Sequence, residues 1–313
     1  MTNTSITSAG RKTAIFEEVQ DIVTVLRTKE EKLYHNNCPE RIEITEDPLV
    51  ALWRQLLIEW MYSVVMACDL QDHSVAAAVY YFDIAIIRQL CTTKAEYQLA
   101  AVTALQLALK TYDTAVIRLE ELIQLGGGNT VTDDAVADME MQIISCLQWH
   151  LHPPTIYCFF TQYEQLLNST NDDDASSATT TTTILRDITR LIAEDCTIEE
   201  QYLPHLPSLQ SYCAMLVALE FITNATLKTN ITKHLASILG STSKNRKVIK
   251  KVCALIRTSL VTKHHTELYE ILINSSSTTS TTNPDDSDYV LHSNDTSKNI
   301  AINHHSSPRG IID

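Results

Sequence analysis

The segment YQLAAVTALQLALK, from Tyr97 to Lys110, constrains this chain more than any other stretch, because a helix built from it is apolar on nearly every side. Such a helix is stable only when other helices surround it, so the spacing predicts the central member of a bundle. Its start carries a capping box, Thr93 followed by Glu96. Sheet proteins need frequent turn formers, and 6 Gly and 8 Pro in 313 residues are too few for them. The fold class is therefore read as all-α.

Periodicity predicts the neighbours. An amphipathic helix over 14–34 carries Phe16, Val19, Ile22, Val23 and Leu26 on one stripe, ahead of the main core. Asp47-Pro48 caps and opens a helix ending near Cys68, and a second runs from about Asp72 to Leu90. After the central helix, one stops at Gly126-Gly127-Gly128 and another at Pro153-Pro154. From Pro154 five more helical segments follow, so two five-helix units in tandem are expected, without a residue-level repeat between them. The division is 1–46 for the leading segment, 47–152 and 153–274 for the units, and 275–313 for a tail rich in Ser, Thr, Asp and Asn. The tail and the low-complexity insert at 168–183 are expected to be disordered.

A formal charge of −14 argues against nucleic acid as a partner, since phosphate binding needs a basic face. The opening MTNTSITSAGRK lacks the apolar core of a signal peptide, and no uninterrupted apolar run approaches the roughly 18 residues of a membrane span. The expectation is a protein of nucleus or cytoplasm with no membrane partner. The 8 Cys form no Cys-x-x-Cys pair, so neither a metal site nor a disulfide framework is indicated; they read as small buried apolar residues. No nucleophile, base and orienting acid can be assembled from sequence order alone, and no cofactor is expected.

In the second helix Asp83 is the one acid in an apolar run, which is costly without a partner, and Arg54 in the helix before is the candidate. This combination, WRQLLIEW, then YYFD, YQLAAVTALQLALK and DMEMQIISCLQWHLHPPT, resembles the cyclin box of the cyclin family. Trp60, Asp83, Lys110, Glu140 and Pro154-Thr155 carry the likeness in order and spacing. DIVTVLRTKEEKLY resembles the helix preceding the box in mitotic-type cyclins, and FFTQY and YLPHLPSLQSYCAMLVALEF resemble parts of a second, more divergent cyclin fold. The Thr- and Asn-rich insertions are similar in composition to cyclins of protists such as diatoms.

The resemblance implies tandem five-helix cyclin folds and a regulatory subunit that binds and activates a cyclin-dependent Ser/Thr protein kinase to control cell-cycle progression. The alternative is a cyclin-fold adaptor without kinase activation, or a transcription-associated scaffold. By similarity Lys110 and Glu140 would anchor the kinase, with Ile22, Val25, Leu107, Thr111, Ile144, Trp149 and Leu151 supplying apolar contact. Thr111 stands where a bulkier residue is usual. Trp53, Leu57, Trp60 and Gln98 occupy positions of a docking cleft for substrates or inhibitors, although Ser63 replaces the acid that would meet a ligand arginine. Arg54 and Asp83 are assigned to structure. The cluster KNRKVIKK at 244–251 could be a nuclear address, but Val248, Ile249, Val252, Leu255 and Ile256 continue a helical stripe there, so its cations read as a solvated face.

Overall fold

The computed structural model describes residues 8–34, 47–113, 117–126, 131–170, 175–239 and 246–277. Among these lie twelve α-helices and no strand: α1 Ser8–Tyr34, α2 Pro48–Ala67, α3 Asp72–Ile87, α4 Lys94–Tyr112, α5 Leu119–Gly126, α6 Asp133–Cys146, α7 Ile156–Thr170, α8 Ala175–Ile198, α9 Pro207–Ala218, α10 Ala225–Leu239, α11 Arg246–Lys263 and α12 His265–Ser277. The chain is all-α.

Local chemistry sets the helix starts. Asp47 accepts from the Leu49 amide, and Pro48, whose missing N–H costs nothing in a first turn, opens α2. The capping box of α4 closes in both directions: Thr93 Oγ1 accepts from the Glu96 amide, and the Glu96 carboxylate accepts from the Thr93 amide. Backbone amides of Thr92 and Thr93 hold the Glu96 carboxyl down at about 2.

Two apolar clusters form. One is built by α2 to α6 around α4, whose Ala100, Ala101, Ala104, Leu105 and Ala108 are fully buried. The alanines let α3 approach α4 closely, which a wider residue at those positions would prevent. The other cluster is built by α7 to α12 around Phe159, Ile188, Cys213, Met215 and Val252. By length and composition α2 could cross a membrane, but it carries Arg54 and Glu59 and packs Ile58, Met61 and Val65 into the first core.

Helix α1 precedes the first unit in the chain as expected and lies along α7, α9 and α10, with Val19 and Val23 inside the second cluster and Leu33 and Tyr34 against the first. Two expectations change. Helix α8 begins at Ala175, inside the insert expected to be disordered. Its buried stripe of Leu185, Ile188 and Ile192 continues back to Thr182, so packing on one face outweighs the weak helix propensity of threonine. A twelfth helix, α12, follows the five expected in the second half and buries its Leu268 in the second cluster. The expected tail lies outside the described residues from 278 onward. Of the described cysteines, Cys91, Cys196, Cys213 and Cys253 are buried as expected, whereas Cys68, at the end of α2, is exposed.

Candidate functional site

Lys110 projects from the last turn of α4, where a cation complements the carbonyl end of the helix. Glu140 lies halfway along α6, whose register is fixed by Thr132 accepting from the Ala135 amide. The two side chains meet, Lys110 Nζ donating to Glu140 Oε2 over 2.8 Å. Lys110 remains 47% exposed and Glu140 21%. A pair this open contributes little stability, about 0–1 kcal/mol, and keeps spare donor and acceptor capacity for another molecule.

The surroundings differ in exposure. Leu107 and Ile144 are only 4% and 7% exposed, so they support the pair from the core and offer little surface of their own. Thr111 is half-buried and its hydroxyl is spent on the Leu107 carbonyl at 2.7 Å. Trp149, by contrast, is 69% exposed. The reason is backbone: Gln148 and Trp149 both have positive φ, 50° and 64°, in the left-handed region unfavourable to residues with a side chain. That turn ends α6 and directs the indole to solvent.

Backbone bonds from the Gln148 and Trp149 amides to the Ser145 and Ile144 carbonyls close the turn, and Leu151, two residues past Trp149, ties it to the bundle. The Leu151 carbonyl accepts from the hydroxyls of Tyr81 on α3 and Tyr112 at the end of α4. Burial pushes both phenols well above their ordinary range, so they stay protonated donors. Tyr81 lies in the YYFD motif and Tyr112 ends the central helix, but nothing in the sequence pairs either hydroxyl with the Leu151 carbonyl.

Ile22, half-buried, and Val25, 56% exposed, stand on α1, which packs on the second core. Beside Lys110 a cavity of about 290 Å³ opens between α4, the segment 117–118 and α6, lined by Gln106, Ile117, Arg118 and Asp133 among others. Gln106 Oε1 is buried there without a hydrogen-bond partner.

The docking-cleft residues are less available. Leu57 and Trp60 are buried, and the Trp60 indole N–H donates to the Leu125 carbonyl over 3.0 Å, tying α2 to α5. Trp53 and Gln98 are half-buried, with the Trp53 ring 5.2 Å from that of Tyr97. The Ser63 hydroxyl donates to the Trp60 carbonyl over 2.7 Å. A ligand cation would find no carboxylate at that position.

Arg54 and Asp83 are buried together. Arg54 Nε and Nη2 donate to the two Asp83 carboxylate oxygens at 2.7 and 3.2 Å, and the guanidinium also donates to the Ile198 and Thr197 carbonyls at 2.8 and 3.2 Å. A bidentate pair with two of the three remaining donors directed at carbonyls comes close to the conditions under which a buried charge is tolerated. It fixes α2, α3 and the end of α8 relative to one another. No cluster among the described residues could hold a metal.

Comparison with known proteins bears on the same residues. Positions 21–152, which include α1 from Asp21 onward and the whole first unit, match the family model "Cyclin, N-terminal domain". Similar proteins include Cyclin-B2-1 of Oryza sativa subsp. japonica, 27% identical over 165 residues, 53% of this chain and 36% of that one. Cyclin-A3-4 of Arabidopsis thaliana is 25% identical over 203 residues, 63% of this chain and 51% of that one. The G2/mitotic-specific cyclin-A of Drosophila melanogaster is 26% identical over 166 residues, 53% and 31% of the two chains. The chain thus spans between about a third and a half of the length of these relatives. The family model lies across the helices that carry Arg54, Asp83, Lys110 and Glu140, so residues 21–152 of this all-helical chain carry a cyclin N-terminal domain.

Proposed function

We propose that this chain is a regulatory subunit, not itself an enzyme, that binds a cyclin-dependent Ser/Thr protein kinase in the nucleus or cytoplasm and promotes its active state. The observation that carries the reading is the Lys110–Glu140 pair, joined across α4 and α6 and still open to solvent, with an exposed tryptophan on the turn that ends α6.

The pair can exchange partners at little cost. Lys110 can donate to carbonyls at the end of a kinase helix, and Glu140 can accept from backbone amides or a basic side chain. Trp149 and Val25 supply apolar area, and a tryptophan, with only two side-chain torsions, loses little conformational freedom on contact. Holding a kinase's mobile helix inward completes the Lys–Glu pair and activation segment that phosphoryl transfer requires. Such an interface buries roughly 2,000 Å² or more. Substrate docking through the Trp53–Gln98 surface is not part of the proposal, because Leu57 and Trp60 are committed to the core.

The test is purification of tagged protein from its own cells, wild type beside Lys110→Ala/Glu140→Ala, with assay for co-purifying kinase. Kinase and activity with the wild type only, at equal helicity, support the reading. The same non-kinase partner on both proteins replaces it with a cyclin-fold adaptor.

A further inference from the structure

In a chain of net charge −14, helix α11 is an exception. Its first six residues include Arg246, Lys247, Lys250 and Lys251, all exposed. Among the described residues none of the four is held in an ion pair, whereas further along α11 Arg257 pairs with Glu220 and Lys263 with Glu199. Cations at this end of a helix also face the positive end of its dipole. The field is felt nearby: burial and the Lys251 ammonium together lower the His205 imidazole below its ordinary value. Four exposed cations close together at this helix end form a local positive field that favours an anionic neighbour.

The same face continues as a shallow groove of about 290 Å³ along α11, from Lys251 past Leu255 and Thr258 to Thr262, walled on one side by Gln201. Positions 251, 254, 255, 258, 261 and 262 follow helical spacing on one side of α11, and Val261 is largely exposed there. The surface is therefore cationic at the Lys251 end and small or apolar along Ala254, Leu255, Thr258 and Thr262, up to Lys263, whose charge is met by Glu199.

One segment of the chain has the complementary order. Pro284-Asp285-Asp286-Ser287-Asp288 is followed at once by Tyr289-Val290-Leu291. Helix α12 leaves α11 after His264 and packs against both α11 and α8. From Ser277, where it ends, Asp285 is eight residues on, a span of up to about 27 Å. A tether that spans the gap to the groove would hold the segment there at an effective concentration on the order of millimolar, which a separate acidic partner would have to exceed. We infer that residues 285–291 dock on α11 of the same chain, the aspartates against Lys247, Lys250 and Lys251 and the Tyr-Val-Leu run along Leu255 and Val261.

The test uses the full chain. Zero-length carbodiimide coupling followed by mass spectrometry is expected to join Lys247, Lys250 or Lys251 to Asp285, Asp286 or Asp288. In a mixture of isotopically light and heavy protein the coupled peptides should be all-light or all-heavy, and raising salt to about 0.5 M should suppress them. Amide exchange across 246–256 should quicken at least threefold in Asp285→Asn/Asp286→Asn/Asp288→Asn and equally in Lys247→Gln/Lys250→Gln/Lys251→Gln. A peptide of residues 283–294 should bind the Asn variant at least tenfold more tightly than it binds the wild type. Unchanged exchange in both variants, or coupled peptides of which about half join a light to a heavy copy, the statistical share for coupling between molecules, overturns the inference. So does a polyglutamate peptide of equal length binding the Asn variant as tightly as the 283–294 peptide, because the surface would then accept any polyanion.

Discussion

Arg54 Nε donates to Asp83 Oδ1 over 2.7 Å while Arg54 Nη1 donates to the Ile198 carbonyl over 2.8 Å, so one guanidinium fastens the first two helices of the cyclin box to the end of α8, 144 residues away. Removing the cation leaves a buried carboxylate and two buried carbonyls without their donors. Arg54→Ala should cost about 3–5 kcal/mol in denaturant unfolding. Arg54→Met with Asp83→Leu should recover a good part of that loss, because no charge is then stranded. If Arg54→Ala costs under about 1 kcal/mol, the junction is not held this way.

Glu30 makes stability depend on pH. Its carboxylate, 1% exposed, accepts from the Ser208 amide at 2.7 Å and the Ser208 hydroxyl at 2.5 Å, joining α1 to the first turn of α9. Burial outweighs those bonds and raises the carboxyl from 4.5 to about 7. The folded protein therefore binds this proton more tightly than the unfolded chain. The contribution is full below about 4.5 and is lost as pH rises through about 7, on the order of 2–3 kcal/mol in all. Unfolding free energy measured between pH 5 and 8 should fall with pH, and Glu30→Gln should flatten that part of the curve.

Trp60 belongs to the core, tied by its indole N–H to the Leu125 carbonyl. Trp60→Phe keeps most of the apolar contact but strands that carbonyl, so a loss of about 1–2 kcal/mol is expected in thermal or denaturant unfolding. A variant of unchanged stability would return Trp60 to the list of surface contacts.

Trp149 should behave in the opposite way. Trp149→Ala is expected to change stability by less than about 0.5 kcal/mol, since the side chain is largely in solvent. It should weaken kinase binding by about 2 kcal/mol, roughly 30-fold, as exposed aromatic anchors do. Titration calorimetry and unfolding on the same preparation separate the two effects.

Much of the architecture is legible in the sequence because its signals are local. The capping box at Thr93 and Glu96, the Asp47-Pro48 start and the lone acid at Asp83 each act within one or two turns, or call for a single partner. What is hidden depends on distant pairing or on backbone. Glu30 and Ser208 lie 178 residues apart, and nothing near either announces the other. The Thr run before Ile184 reads as a loop by propensity, and only the packing of Thr182 and Leu185 against the second core makes it helix. For the candidate site the family likeness selects residues by position, whereas exposure decides what they can do. Leu107 and Ile144 face inward, and the two left-handed residues at 148 and 149 turn Trp149 outward.

The most direct test of kinase regulation by this chain is the affinity of the purified protein for its co-purifying cyclin-dependent kinase, wild type against Lys110→Ala/Glu140→Ala, with unfolding followed in parallel. The pair is exposed, so stability should change by no more than about 1 kcal/mol. Binding should weaken about 100-fold or more, as when charged anchors of an interface are removed. Equal affinity of the two proteins for the kinase, with both folded, would contradict the account.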